Sequence, residues 1–207
     1  MNDKIFSDSS EYSYANLIYN IQLVNSDIEN IKPFHFLSFL YDITKAFKMI
    51  SSALSLAFDD ITTKVNIWRD LFKTHYKDAK SLQDIMNKEI ELKICELNGE
   101  NNKSFGHKKK TYYYEYTSGK DVFINYLGTR TIVRLTWFLD YLNHILRNLL
   151  ETNDDFVTIL KTAYSKTLGP HHGFFIKNGA KLAMSFAPSN RKVPMKYFVG
   201  NIYNIKI

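Results

Sequence analysis

A single cysteine, Cys95, leaves this 207-residue chain without an internal disulfide, so packing and hydrogen bonding must hold its fold. Within the apolar run Ile90–Leu97 that cysteine reads as a small core residue. Only four prolines and eight glycines interrupt the chain, which leaves few breaks in a helical pattern. No apolar stretch approaches the roughly 20 residues that a bilayer-spanning helix needs. The segment Met1–Tyr14 is polar and rich in serine and aspartate, unlike a secretion signal. A soluble, cytoplasmic protein is the expectation. Catalytic signatures are missing too: there is no G-x-S-x-G, no glycine-rich phosphate loop, no C-x-x-C and no H-E-x-x-H. The histidines lack metal-ligand spacing apart from His171-His172, and adjacent helical side chains point about 100° apart. The sequence therefore predicts no enzyme, no catalytic residue, no cofactor and no metal.

What is present is apolar and basic. A hydrophobic content of 45% is enough for a sizeable core in one domain spanning residues 1–207. The net charge of +6 favours an anionic partner: nucleic acid, an acidic membrane surface or an anionic small ligand. The basic residues are scattered among acidic ones, so a nucleic-acid reading has only bulk charge behind it. Apolar spacing predicts helices near 14–29, 34–50, 55–78, 81–97, 121–150, 154–167, 172–186 and 191–203. Pro33 suits a helix start, Ser81 with Asp84 forms a capping arrangement, and Asn153 or Asp154 is placed to cap the helix that follows. Gly169-Pro170 should end that helix. Strand-like alternation is expected only in Tyr197–Ile207, so the fold class is all-α. The segment 98–120, with Lys108-Lys109-Lys110 and Tyr112-Tyr113-Tyr114, reads as an exposed loop insertion: a solvated connector, or a patch for a membrane surface.

Two basic residues stand out against that helical background. Arg130 and Arg134 fall in line with Phe123, Leu127, Trp137, Tyr141 and Ile145 along one face of the longest predicted helix. A guanidinium does not lose its proton, so an inward-facing pair must meet anions. The chain supplies those anions itself, for example from Asp60, or it receives them on a ligand. Asp60 and Lys64 lie at i, i+4 beside the stripe Ile61, Val65, Trp68 and Phe72, where a plain surface pair is also possible. Taken together, Lys64, Arg130 and Arg134 against Asp60 leave a positive surplus. A phosphomonoester, at about −1.5 to −2, matches it and suits guanidinium hydrogen bonding. Trp137 and Phe58 would add an apolar wall, so a phosphate carried on an apolar body is a natural guest.

These residues resemble a known family. Phe39–Phe72, with Phe58-Asp59-Asp60-Ile61-Thr62-Thr63-Lys64, is similar to the head-group helix of the glycolipid transfer protein family. Thr129-Arg130-Thr131-Ile132-Val133-Arg134-Leu135 looks like the arginine motif of its ceramide-1-phosphate branch. Ala163-Tyr164, His171-His172-Gly173-Phe174 and Ala187-Pro188 resemble the family's Ala-Tyr, Tyr-His-Gly-Trp and Ala-Pro run, and the likeness covers about residues 12–198. The resemblance implies a two-layer helical sandwich that takes up lipid chains, holds the head group at its surface and carries sphingolipids between membranes without catalysis. By position, Asp60 would accept from the ceramide amide N–H and His172 would donate to the acyl carbonyl. Lys64, Arg130 and Arg134 would bind phosphate, and Phe174 would be the apolar wedge touching the membrane. Glycolipid-binding members have asparagine where this chain has Lys64 and tryptophan where it has Arg134.

The chain also departs from the family pattern. Phe174 stands where tryptophan is usual, His171 where tyrosine is usual, and segment 98–120 is longer. Members continue further past the Ala-Pro, so the C-terminal helices are expected to be shortened here: either Tyr197, Phe198 and Ile202 close the pocket, or the shortening puts transfer in question. The expected lining for two alkyl chains is Phe36, Leu37, Leu40, Phe47, Leu56, Val133, Phe175, Leu182 and Met184. The leading expectation is a monomeric carrier of a phosphorylated, ceramide-1-phosphate-like sphingolipid, peripheral and transient at membranes. The alternative is a sphingolipid sensor or adaptor that binds without efficient transfer, and a nucleic-acid partner is not expected.

Overall fold

Side chains that satisfy free amides mark where the helices start. In the computed structural model, which describes residues 12–74, 76–91, 113–118, 121–126 and 128–198, helix α1 (Tyr14–Asn25) begins where Ser13 accepts from the Asn16 amide. Helix α2 (Pro33–Ile50) opens on Pro33, whose missing N–H is no loss in a first turn. Helix α3 spans Ser52–Thr74 and α4 spans Leu82–Glu91. Ahead of α4 the Ser81–Asp84 box forms as its spacing predicts: the Asp84 amide donates to Ser81 Oγ at 3.1 Å, and the Ser81 amide donates to Asp84 Oδ2 at 3.0 Å. The Lys80 amide, donating to Asp84 Oδ2 at 2.7 Å, and the Ser81 amide hold the Asp84 carboxyl below the usual carboxylate range.

The next segment corrects the sequence reading. Strands β1 (Tyr113–Ser118) and β2 (Asp121–Tyr126) pair antiparallel, from Tyr113 opposite Tyr126 to Ser118 opposite Asp121. Part of the predicted loop and the predicted first turns of the long helix are thus a hairpin, and helix α5 runs only from Gly128 to Glu151. Phe123 lies on β2 and contributes nothing to the α5 stripe, while Cys95 and Leu127 fall outside the described residues. Helix α6 (Phe156–Lys166) is capped by Asp155, one residue beyond the predicted pair, through the Thr158 amide at 3.1 Å. It ends before a 3-10 turn at Gly169–His171, as Gly169-Pro170 requires. Helices α7 (Phe174–Ser185) and α8 (Lys192–Phe198) follow; α8 lies within the predicted helix 191–203 and takes in Tyr197 and Phe198, where extended chain was also expected.

The helices make a two-layer all-α sandwich. On one side α1 and α8 flank α2; on the other α5 and α7 flank α6; α3 touches α2, α5 and α7 and joins the layers. The core between them holds Phe36, Leu40, Phe47, Trp68, Phe138 and Phe156, all nearly or fully buried. Phe58 stacks on Phe47 with ring centroids 3.9 Å apart and meets Phe138 edge-on at 5.6 Å. Phe198 packs on Phe47 at 5.0 Å, so α8 closes the core beside α2. Ile202 lies outside the described residues.

Three elements converge where α5 begins. Glu89, fully buried on α4, accepts the Gly128 amide at 2.6 Å, the Thr129 amide at 2.8 Å and the Thr129 hydroxyl at 2.5 Å. The Tyr76 hydroxyl donates to it at 3.0 Å, and the Trp68 indole N–H donates to the Gly128 carbonyl at 3.0 Å. Glycine fits at 128 because a Cβ there would lie 3.1 Å from Glu89 Oε1 and from Ile85. At the other end of α5, Arg191 donates to the carbonyls of Leu149 and Thr152. The helix that carries Arg130 and Arg134 is therefore pinned at both ends.

Candidate functional site

Helices α3, α5, α6 and α7 enclose a cavity of about 780 Å³. Small residues on α7 make the room: Gly179, Ala180 and Ala183 line it, and a Cβ on Gly179 would meet nothing within 4 Å. Leu54, Phe58, Ile61, Phe138, Tyr141 and Met184 supply much of the apolar wall. Of the alkyl-chain lining expected from sequence, Leu182 and Met184 are the ones among the described residues that line this cavity. Phe36, Leu37, Leu40 and Phe47 are buried in the core instead, and Phe175 is 87% exposed. The side chain of Leu56 falls outside the described residues.

The cavity collects its polar groups at one side. Asp60, Lys64, Arg134, His171 and His172 all line it. Asp60 and Lys64 share a face of α3, and the Lys64 ammonium donates to Asp60 Oδ2. Lys64 is only 8% exposed although it borders the apolar stripe, because its stem packs along that stripe while its head reaches the carboxylate. Arg134 is half-buried on the flank of α5, not on its core stripe, which runs through Leu135, Phe138, Leu142, Ile145 and Leu149. It precedes Trp137 by one turn, and both face the cavity. Arg130 lies one turn earlier on the same helix, and its side chain falls outside the described residues.

The adjacent histidines go to different partners. His171 stacks on Trp137 with centroids 3.7 Å apart and planes 3° from parallel. His172 Nδ1 lies 2.7 Å from the Tyr164 hydroxyl. Gly169 makes that contact reachable, since a Cβ there would sit 2.9 Å from the Tyr164 carbonyl oxygen and the turn could not fold back so closely. A neutral imidazole has one donor and one acceptor nitrogen, so when the phenol donates to Nδ1 the imidazole's own donor is Nε2–H. The sequence motif included Tyr164 without giving it a role. A carboxylate, hydroxyl or phenol near a ligand histidine is the general signal that could have found it.

Burial pushes the His172 imidazole below its ordinary range; Asp60 opposes this, while Lys64, His171 and Arg134 reinforce it. Burial also pushes the Tyr164 phenol up. The neutral imidazole belongs to the folded state, and the unfolded chain binds the proton more readily. Stability from His172 is therefore fully present above about pH 6.5 and is lost as pH falls through the lower folded value. We expect the His172→Gln variant to lose less stability than the parent between pH 7 and pH 5 (roughly the histidine range), measured by thermal melting. An identical pH slope in both proteins would rule this contribution out.

Phe174, placed by sequence at the membrane, is 73% exposed at the start of α7 and does not line the cavity. It heads an apolar surface that includes Phe175, Ile176, Leu182 and Phe186, all exposed. No helix among the described residues is long and apolar enough to cross a membrane.

Comparison with known proteins fits this architecture. No curated protein sequence matches the chain. Among solved structures, human ceramide-1-phosphate transfer protein in complex with 12:0 ceramide-1-phosphate superposes with a TM-score of 0.70 at 15% identity, covering 93% of this chain and 82% of that one. Apo Arabidopsis accelerated-cell-death 11 protein gives 0.61 at 17% identity, over 92% and 83% of the two chains. A fungal glycolipid transfer protein gives 0.59 at 22% identity, over 82% and 71%. Proteins named for phosphorylated and for sugar-bearing lipids thus share this fold, so the fold alone does not choose a head group. The family profile described as Glycolipid transfer protein matches residues 31–198, and the chain belongs to that family of non-enzymatic lipid transfer proteins.

Proposed function

We propose that the protein carries a sphingolipid with a phosphorylated head group, of the ceramide-1-phosphate type, between membranes. The observation that supports this reading is the composition of the cavity's polar side. Among the described residues, two basic side chains, Lys64 and Arg134, line it beside one carboxylate, Asp60. A phosphate monoester accepts from both a planar guanidinium and an ammonium, whereas a neutral sugar makes no use of their charge. In this reading Asp60 accepts from the ceramide amide, His172 Nε2–H donates to the acyl carbonyl, and Arg130 adds a second guanidinium. Lys64 exchanges part of its contact with Asp60 for the phosphate.

The apolar cavity takes the lipid chains. Each methylene it buries contributes about 0.8 kcal/mol relative to water, which offsets the loss of the bilayer. The exposed Phe174 and its neighbours on α7 dock the protein on the membrane during exchange. The protein acts as a monomer, peripheral and transient at the bilayer. Vesicle-to-vesicle transfer of labelled lipids tests the proposal: ceramide-1-phosphate should move at least several-fold faster than galactosylceramide. Equal rates would remove the phosphate assignment. Tight retention of lipid without exchange would favour the sensor or adaptor instead.

A further inference from the structure

Outside the cavity, helices α6 and α7 form a second, open cleft of about 540 Å³ lined by Lys161, Thr162, Ser165, Lys181, Leu182 and Ser185. Each helix contributes a lysine and a serine four residues apart, which places each pair on one face. Among the described residues no carboxylate lines the cleft and neither lysine is in an ion pair. The serine hydroxyls donate to backbone carbonyls, Ser165 to Thr162 and Ser185 to Lys181, each at 2.9 Å. With both serine hydroxyls engaged, the two ammonium groups are the charged donors the cleft offers, and they ask for an anion.

The position of the cleft says where that anion comes from. Leu182 lines both the cleft and the lipid cavity. On α7, Lys181 follows Phe174 by seven residues, and Leu182 follows Phe175 by seven and precedes Phe186 by four. Those spacings set the lysine row directly beside the exposed phenyl row. Aromatic rings and lysines side by side match the interfacial layer of a membrane, where rings sit at head-group depth and ammonium groups meet lipid phosphates.

We propose that the Lys161–Lys181 cleft holds the head group of an anionic bilayer phospholipid and so orients the cavity toward acidic membranes. This rests on the reading that α7 meets the bilayer, and not on which lipid occupies the cavity. The test is co-sedimentation with vesicles of phosphatidylcholine alone and with about one-fifth phosphatidylserine. At about 1 kcal/mol per lysine near an acidic surface, a Lys161→Gln/Lys181→Gln variant should lose roughly 10- to 30-fold in binding to the acidic vesicles, and little on neutral ones. A charge-matched control, Lys32→Gln/Lys192→Gln, removes two exposed lysines from the α2–α8 side and should keep most of the preference.

Equal losses in both variants would reduce the effect to bulk charge and overturn the proposal, as would an unchanged cleft variant. Displacement by millimolar-range soluble glycerophosphate would also overturn it, by making the cleft a site for free phosphate. Melting curves check that the surface variants fold. The cleft variant should keep the parent's preference for ceramide-1-phosphate over galactosylceramide in transfer between neutral vesicles. Loss of acidic-vesicle binding with that preference intact supports the cleft alone. Absence of that preference in the parent protein sinks the cavity reading and leaves the cleft standing.

Discussion

Replacing Arg134 by leucine is expected to weaken binding of a short-chain ceramide-1-phosphate by roughly 10- to 100-fold. The estimate takes about 1.5–3 kcal/mol for a hydrogen bond to a charged group. Galactosylceramide binding should change by less than about threefold, because leucine keeps apolar volume at the cavity wall and a sugar does not depend on the charge. Arg134 lines the cavity one turn before Trp137, so its stem is held by the same wall that would receive the ceramide. Arg134→Lys separates charge from geometry. It keeps the cation and loses the planar fork, and an intermediate affinity is expected. Calorimetric titration of both lipids into the three proteins measures this directly. Parallel losses for the two lipids would mean that Arg134 supports the cavity without reading its head group.

Lys64 enters that measurement differently. It is bonded to Asp60 and nearly buried, so a phosphate must compete with the carboxylate for it. Removing Lys64 also leaves Asp60 without that donor, and a single substitution there mixes two effects. Arg134 is the cleaner probe for this reason.

The sequence carried most of the helical fold. Pro33, the Ser81–Asp84 box and Gly169-Pro170 are local devices, and each acts within four residues of itself. The start of α5 was not legible in the same way. Phe123 and Leu127 happen to fall in phase with Trp137 and Tyr141, so a helical period ran backward through the hairpin. The alternating β-formers on either side of Gly119-Lys120 carried the competing signal, with just two residues between strands. Asp60, Lys64, Arg134 and His172 could be grouped from their motifs, and the fold brings them to one cavity. The apolar lining was legible only in part: Phe58, Trp137, Leu182 and Met184 line the cavity as expected, whereas Phe47 looks like Phe58 in sequence, stacks on it in space and stays in the core. The Trp137–His171 stack and the contacts of Glu89 with Gly128 and Thr129 join residues 34 to 40 positions apart, a separation at which periodicity says nothing.

Glu89 leads to the largest stability effect expected in this protein. A carboxylate buried on all sides is costly unless its oxygens are satisfied, and here four donors satisfy them: the Gly128 and Thr129 amides and the Thr129 and Tyr76 hydroxyls. Its negative charge also faces the positive end of α5, a favourable arrangement for a helix N-terminus. Glu89→Ala leaves those buried donors without their acceptor, and is expected to cost about 3–5 kcal/mol. For a chain of this size that is a fall of roughly 10 °C in melting temperature. Glu89→Gln keeps one carbonyl oxygen but turns an NH₂ group toward a backbone amide, so about half the loss should remain. The two substitutions together separate acceptor loss from the cavity that alanine also creates. Arg134 lies six residues into the helix that Glu89 anchors, about 9 Å along its axis, so loosening the first turn should also lower phosphate affinity in the surviving folded fraction. Titration of the glutamine variant well below its melting point measures that second effect. A glutamine variant that melts within about 2 °C of the parent would mean that the carboxylate is not what holds α5 in place.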